Sequence, residues 1–161
     1  MSTPSPFRVL VLCTGNSARS QIAEALLATR GAGRVIAASG GSHPAPHVNP
    51  YAVETLAAHG IVWEGRVPKR LDEVAGINYG LVITVCDNAA EACPFFPGAV
   101  AQVHWGLPDP ADETEREAAL RAFEATYQAL HARIGKLLAL PLEGMGAEEL
   151  VRVAREIHGA T

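Results

Sequence analysis

Apolar positions along this chain fall in two rhythms. Short unbroken runs predict strands buried on both faces, at residues 8–14 (RVLVLCT), 35–38, 81–85 and 101–104. Between them, spacings of three and four predict helices. One starts near Ser17, passes through Ala18, Ile22, Ala25 and Leu26 to about Arg30, and stops at Gly31 and Gly33. A second covers residues 50–59, with Asn49 as N-cap and Gly60 as stop. A short helix at Leu71–Val74 leads into the third strand. The clearest helix covers residues 112–140, where Leu120, Phe123, Tyr127, Leu130, Ile134 and Leu137 make one face apolar. A last amphipathic helix, residues 147–157, follows Pro141 and the Gly144/Gly146 pair. Its apolar face of Leu150, Val151, Ala154 and Ile157 is expected to pack on the domain.

Strands alternating with helices predict one α/β domain over residues 1–161, with a four-stranded, mostly parallel sheet flanked by helices. Residues 141–161 form its C-terminal helical extension. No repeat or long linker divides the chain. In such sheets ligands bind outside the carboxyl ends of the strands. Cys13, Ser39, Cys86 and the segment after His104 all fall at such ends.

Composition narrows the classes. Hydrophobic residues make up 48% and charged residues 19% of the 161, ordinary values for a globular protein. The net charge is −4 with both signs interspersed, so nucleic acid is not an expected partner. The opening MSTPSPF is short and polar, and no apolar run approaches a membrane span. The expectation is a cytoplasmic monomer. In a reducing compartment three cysteines are not a permanent staple, which leaves buried bystanders, metal ligands, or nucleophilic and redox chemistry. Cys86 and Cys93, with six residues between them and no close histidine, suit zinc poorly. Prolines between His43 and His47 prevent a metal-binding helix face, and no metal is expected.

The most informative stretch is Cys13-Thr14-Gly15-Asn16-Ser17-Ala18-Arg19-Ser20. A cysteine ends a strand, five residues intervene, and an arginine enters the first helical turn. Such a loop can wrap one tetrahedral oxyanion with inward N–H groups from Thr14 to Arg19, helped by the positive end of the helix. Gly15 and Asn16 tolerate left-handed backbone. Arg19 can grip two oxygens with its planar fork. The same donors are expected to favour the Cys13 thiolate, and the Ser17 and Ser20 hydroxyls can reach toward that sulfur. No Gly-Lys-Ser/Thr follows, which argues against a nucleotide loop.

CTGNSARS after an apolar N-terminal strand resembles the active-site loop of low-molecular-weight tyrosine phosphatases and related arsenate reductases. Those families carry an aspartate-proline loop late in the chain, matched here by His104-Trp105-Gly106-Leu107-Pro108-Asp109-Pro110. The resemblance makes Asp109 the general acid. Thr84-Val85-Cys86-Asp87-Asn88-Ala89-Ala90-Glu91-Ala92-Cys93-Pro94 resembles the redox segment of thioredoxin-coupled arsenate reductases. Trp105-Gly106 is similar to the reductase version, and the aromatic residues common after Asp-Pro in tyrosine phosphatases are replaced by Ala111-Asp112. Ser39-Gly40 resembles a second loop that buttresses the first by hydrogen bonding to Asn16. Some members bind potassium beside Asn16 and Ser39 with an acidic ligand downstream. Here Gly60-Ile61-Val62-Trp63-Glu64 has no aspartate at the expected place, which speaks against potassium dependence. The resemblance spans about residues 7–140, and the final helix resembles an extension found in some members.

The resemblance implies arsenate as substrate, with phosphate or sulfate as competing oxyanions. It implies a relay in which Cys13 attacks arsenic, Cys86 resolves, and Cys93 carries the disulfide outward to thioredoxin. No bound cofactor is implied. A phosphatase using Cys13, Arg19 and Asp109 alone, an oxyanion sensor, and a reductase fed by glutaredoxin or mycothiol remain as alternatives.

Overall fold

The computed structural model describes residues 6–86, 96 and 99–160, with the main chain alone for Cys86. Strand β1 (Phe7–Cys13) leads through a loop into helix α1 (Arg19–Gly31), and β2 (Val35–Gly41) into α2 (Pro50–Ala58). Asn49 caps α2 as expected, its side chain accepting from Tyr51 N at 2.9 Å. A one-turn helix α3 (Leu71–Val74) precedes β3 (Leu81–Cys86). Strand β4 (Gln102–Leu107) is followed by the long α4 (Arg116–Leu138) and by α5 (Ala147–Ala160). The sheet order is β2-β1-β3-β4, and among the described residues every strand pairing is parallel, in keeping with the expected mostly parallel sheet.

Alternation along β1 splits the core in two. Val9, Val11 and Cys13 face a large cluster with Ile22, Leu26, Phe123, Leu130 and Trp105, while Leu10 and Leu12 face a smaller one with Val74, Tyr79 and Phe96. Strand β1 is therefore covered on both faces, and its end is fixed in space. Truncating Leu10 or Leu12 to alanine, both fully buried, costs about 2–5 kcal/mol. Trp105, 1% exposed, donates its indole N–H to Ala154 O at 2.9 Å and pins α5 against β4. The Arg34 guanidinium bonds the carbonyls of Leu138 and Leu140 and the Glu143 carboxylate, tying the bend between α4 and α5 to the start of β2. No described helix is long and apolar enough to cross a membrane.

Several boundaries differ from the sequence expectation. Helix α1 begins at Arg19 rather than Ser17, because the loop keeps Ser17 and Ala18 out of helical geometry. Strand β2 continues to Gly41 instead of ending at Ala38, with Gly40 and Gly41 serving as a slim strand end. A Cβ on Gly41 would lie 2.5 Å from Thr14 O. Strand β4 runs on to Leu107. The long helix starts at Arg116 rather than Asp112, because Pro110–Asp112 forms a separate 3-10 turn capped by Asp109.

Candidate active site

Cys13 ends β1 at 3% exposure, below the loop that turns into α1. Asn16 makes the turn with φ 48°, the left-handed conformation its type tolerates; the other candidate, Gly15, is not needed for it. This bend brings Asn16 N to 3.2 Å from Cys13 Sγ, as a donor to the sulfur. On the outer side His43 N, Ala45 N and Asn49 N donate to the carbonyls of Thr14, Gly15 and Ser17, each at 2.9 Å. Three loop carbonyls are thereby held away from the centre. Helix α1 opens at Ala18 without a side-chain cap, and its positive end faces the loop.

Asn16, fully buried, sets the direction of the hydrogen bonds beneath the loop. Its amide N–H groups donate to Ser20 Oγ at 2.8 Å and Ser39 Oγ at 2.9 Å. Ser39 Oγ in turn donates to Glu24 Oε1 at 2.6 Å. Ser20 Oγ, accepting from Asn16, keeps its own hydrogen to give, and toward a thiolate at Cys13 Sγ, 2.8 Å away, the hydroxyl can only be the donor. The sulfur thus receives a backbone N–H and a hydroxyl, both of which favour its anion. Asn16 Oδ1 accepts from Lys69 N at 2.8 Å and Gln21 Nε2 at 3.1 Å, and Gln21 Oε1 accepts from Trp63 Nε1 at 2.9 Å.

Arg19, 7% exposed, donates from Nη1 to Leu107 O at 2.8 Å and sets Nη2 3.4 Å from Asp109 Oδ2. Asp109 is fixed at its other oxygen, where Ala111 N donates to Oδ1 at 3.0 Å. The Asp109 carboxyl therefore has one oxygen bonded within its own 3-10 turn and the other turned to the Arg19 guanidinium at the start of α1.

The structure gathers Cys13, Arg19, Asp109, Asn16, Ser20 and Ser39 with the loop residues Thr14, Gly15, Ser17 and Ala18. Cys86 ends β3, between β1 and β4, with its main chain in register with Leu107; Leu12 on β1 pairs with Thr84, two residues earlier. The Cys86 side chain and all of Cys93 lie outside the described residues. Sequence reasoning missed Gln21, Glu24, Gly41, Trp63, Arg66 and Lys69. Gln21 and Glu24 left a signal: polar side chains in a helix buried from Arg19 to Leu27 must find partners inside.

The family model for low molecular weight phosphotyrosine protein phosphatase matches residues 8–150, and the chain belongs to that family. Within it, the likeness extends to arsenate reductases. The arsenate reductase of Bacillus subtilis is 35% identical over 130 residues, covering 81% of this chain and 91% of that one. A solved arsenate reductase in the phosphate binding state superposes with a TM-score of 0.72 at 26% identity, covering 83% of this chain and 97% of that one. The thioredoxin-dependent arsenate reductase of Corynebacterium glutamicum gives a TM-score of 0.60 at 27% identity, covering 85% of this chain and 64% of that one.

Proposed function

We propose that this chain reduces arsenate to arsenite in the cytoplasm, through Cys13, Cys86 and Cys93, with thioredoxin restoring the thiols. The observation that carries the reading is a buried Cys13 sulfur served by two donors, with a second cysteine ending the neighbouring strand. Arsenate sits in the loop from Thr14 to Arg19, its charge met by backbone N–H groups and the Arg19 fork. The Cys13 thiolate forms a bond to arsenic, and one arsenic–oxygen bond breaks. Asp109 gives a proton to the departing oxygen, which leaves as water.

The Cys86 sulfur then attacks the Cys13 sulfur. A disulfide forms, the Cys13–arsenic bond breaks with its electron pair going to arsenic, and As(V) leaves as As(III) in arsenite. Cys93 thiolate attacks Cys86 and frees Cys13, and the thioredoxin dithiol reduces the Cys86–Cys93 disulfide. The electrons pass through thiols, so the scheme requires no bound cofactor.

The family match favours a second reading, hydrolysis of a phosphate ester by Cys13, Arg19 and Asp109 with water in place of Cys86. One experiment separates the two: arsenate-dependent NADPH oxidation with thioredoxin and thioredoxin reductase, for the wild type and Cys86→Ser. Turnover lost in the variant, with aryl phosphate hydrolysis kept by both, supports the reductase and the relay. Absent turnover beside intact hydrolysis moves the chain to the phosphatases. Cys93→Ser is expected to stop after about one turnover with Cys13 and Cys86 linked. Sustained turnover by that variant removes Cys93 from the scheme.

A further inference from the structure

Glu24 is a carboxylate inside the protein, 4% exposed, on a helix whose neighbouring positions are all buried. A lone buried carboxylate is costly unless it is paired and hydrogen-bonded. Its Oε1 takes the Ser39 hydroxyl at 2.6 Å, and its Oε2 faces Arg66 Nη1 at 3.7 Å. The Arg66 guanidinium also lies over the Trp63 ring, 3.9 Å from its centroid. Arg66 therefore touches the outer ends of two chains of hydrogen bonds. One runs through Glu24 and Ser39 to Asn16, the other through Trp63 and Gln21 to Asn16. Asn16 in turn bonds the Cys13 sulfur and orients Ser20 toward it.

A potassium ion beside Asn16 and Ser39 does not fit this arrangement. Asn16 Oδ1 already accepts two N–H groups, and Ser39 Oγ accepts from Asn16 while donating to Glu24. The outer oxygen of Glu24 faces a guanidinium. We infer that Arg66 is a tethered cation that positions the nucleophile loop through Glu24 and Trp63, in place of a dissolved metal ion. Arg66 acts through these neighbours and is a positioning residue. Its side chain is 48% exposed at the edge of a cleft of about 460 Å³ that Gln21, Lys69 and Glu73 also line. Removing the guanidinium would leave Glu24 Oε2 facing this cleft, where a small cation from solution could take its place. The inference requires Cys13 to be the nucleophile and does not require arsenate to be the substrate.

The test follows Cys13 directly, by the pH dependence of its alkylation with iodoacetamide and by the affinity for inorganic phosphate. Replacing tetramethylammonium by potassium at equal ionic strength leaves the wild type unchanged. Arg66→Ala weakens phosphate binding about tenfold, the size of a coupling between neighbouring groups, and moves alkylation to higher pH. Added potassium or guanidinium restores most of that loss, and Arg66→Lys recovers only part of it, because an ammonium keeps the charge facing Glu24 but not the planar fork stacked on Trp63. Severalfold activation of the wild type by potassium overturns the inference. So does an Arg66→Ala protein that melts normally and keeps the wild-type alkylation profile and phosphate affinity. Neither readout involves arsenate reduction, so a failed reductase assay leaves this test intact.

Discussion

Removing one hydroxyl tests whether the hydrogen bonds beneath the loop tune the nucleophile or merely hold it. Ser20→Ala deletes the donor 2.8 Å from Cys13 Sγ and leaves the backbone donor of Asn16 at 3.2 Å. A hydrogen bond to a charged group contributes about 1.5–3 kcal/mol, so the thiolate fraction at a pH on the acid limb should fall roughly ten- to a hundredfold. The sign follows from which form the donor stabilises. Losing a donor to the anion moves ionisation to higher pH, so alkylation and kcat/KM both shift their acid limbs upward. The same change leaves one Asn16 amide hydrogen without its acceptor in a fully buried site, at a cost of about 1–3 kcal/mol in folding stability. Iodoacetamide kinetics across pH, beside a urea melt, separates the two effects. A melt shifted as expected with an unmoved acid limb would refute the directional argument and leave Ser20 a structural role alone.

Asp109→Asn should lower turnover by about a hundredfold or more, because an amide has no acidic proton to give, while Cys13 alkylation stays as in the wild type. Equal loss of both would mean that Asp109 acts by holding Arg19. Gly41→Ala forces a Cβ to 2.5 Å from Thr14 O and should cost about 1–3 kcal/mol in a urea melt. Gly40→Ala meets first the Val74 Cγ2 at 3.1 Å, a side chain able to give, and should cost less; equal costs would undo the reasoning. His158 is held below the usual histidine range by burial, with Arg133 and His104 adding to the effect, and its Nδ1 is buried without a hydrogen-bond partner. The unfolded chain therefore takes up this proton first, and stability falls as pH drops from the free-histidine range toward the lower native value. His158→Gln should flatten that fall in a melting series; an unchanged slope assigns the acid sensitivity elsewhere.

The arch from β1 through the loop to α1 was legible because three signals agree there. A run buried on both faces gives the strand, the Gly-Asn turn gives the bend, and the arginine enters the first helical turn. Asp109 was legible through motif alone: nothing periodic distinguishes it from an ordinary Asp-Pro turn. The end of β2 was hidden because glycine normally breaks a strand, and only the close crossing of Gly41 over Thr14 explains its use. The bracing behind the loop was hidden for another reason. Trp63, Arg66 and Lys69 come from an irregular stretch after α2, where no spacing reports which way a side chain turns. Buried Gln21 and Glu24 were readable in principle, since a polar group inside an apolar helix implies a partner, but the partner's identity was not.

The bond from the Arg19 guanidinium to Leu107 O joins positions 88 residues apart. An anion-binding centre stapled across that distance has no counterpart in the unfolded chain. Any oxyanion that fills it must therefore act as a folding ligand, drawing the equilibrium toward the native state by mass action. At a hundred times its dissociation constant, such an anion adds about 2.7 kcal/mol. The phosphate or sulfate of the surrounding solution thus enters the stability of this protein as a thermodynamic variable, alongside temperature and pH.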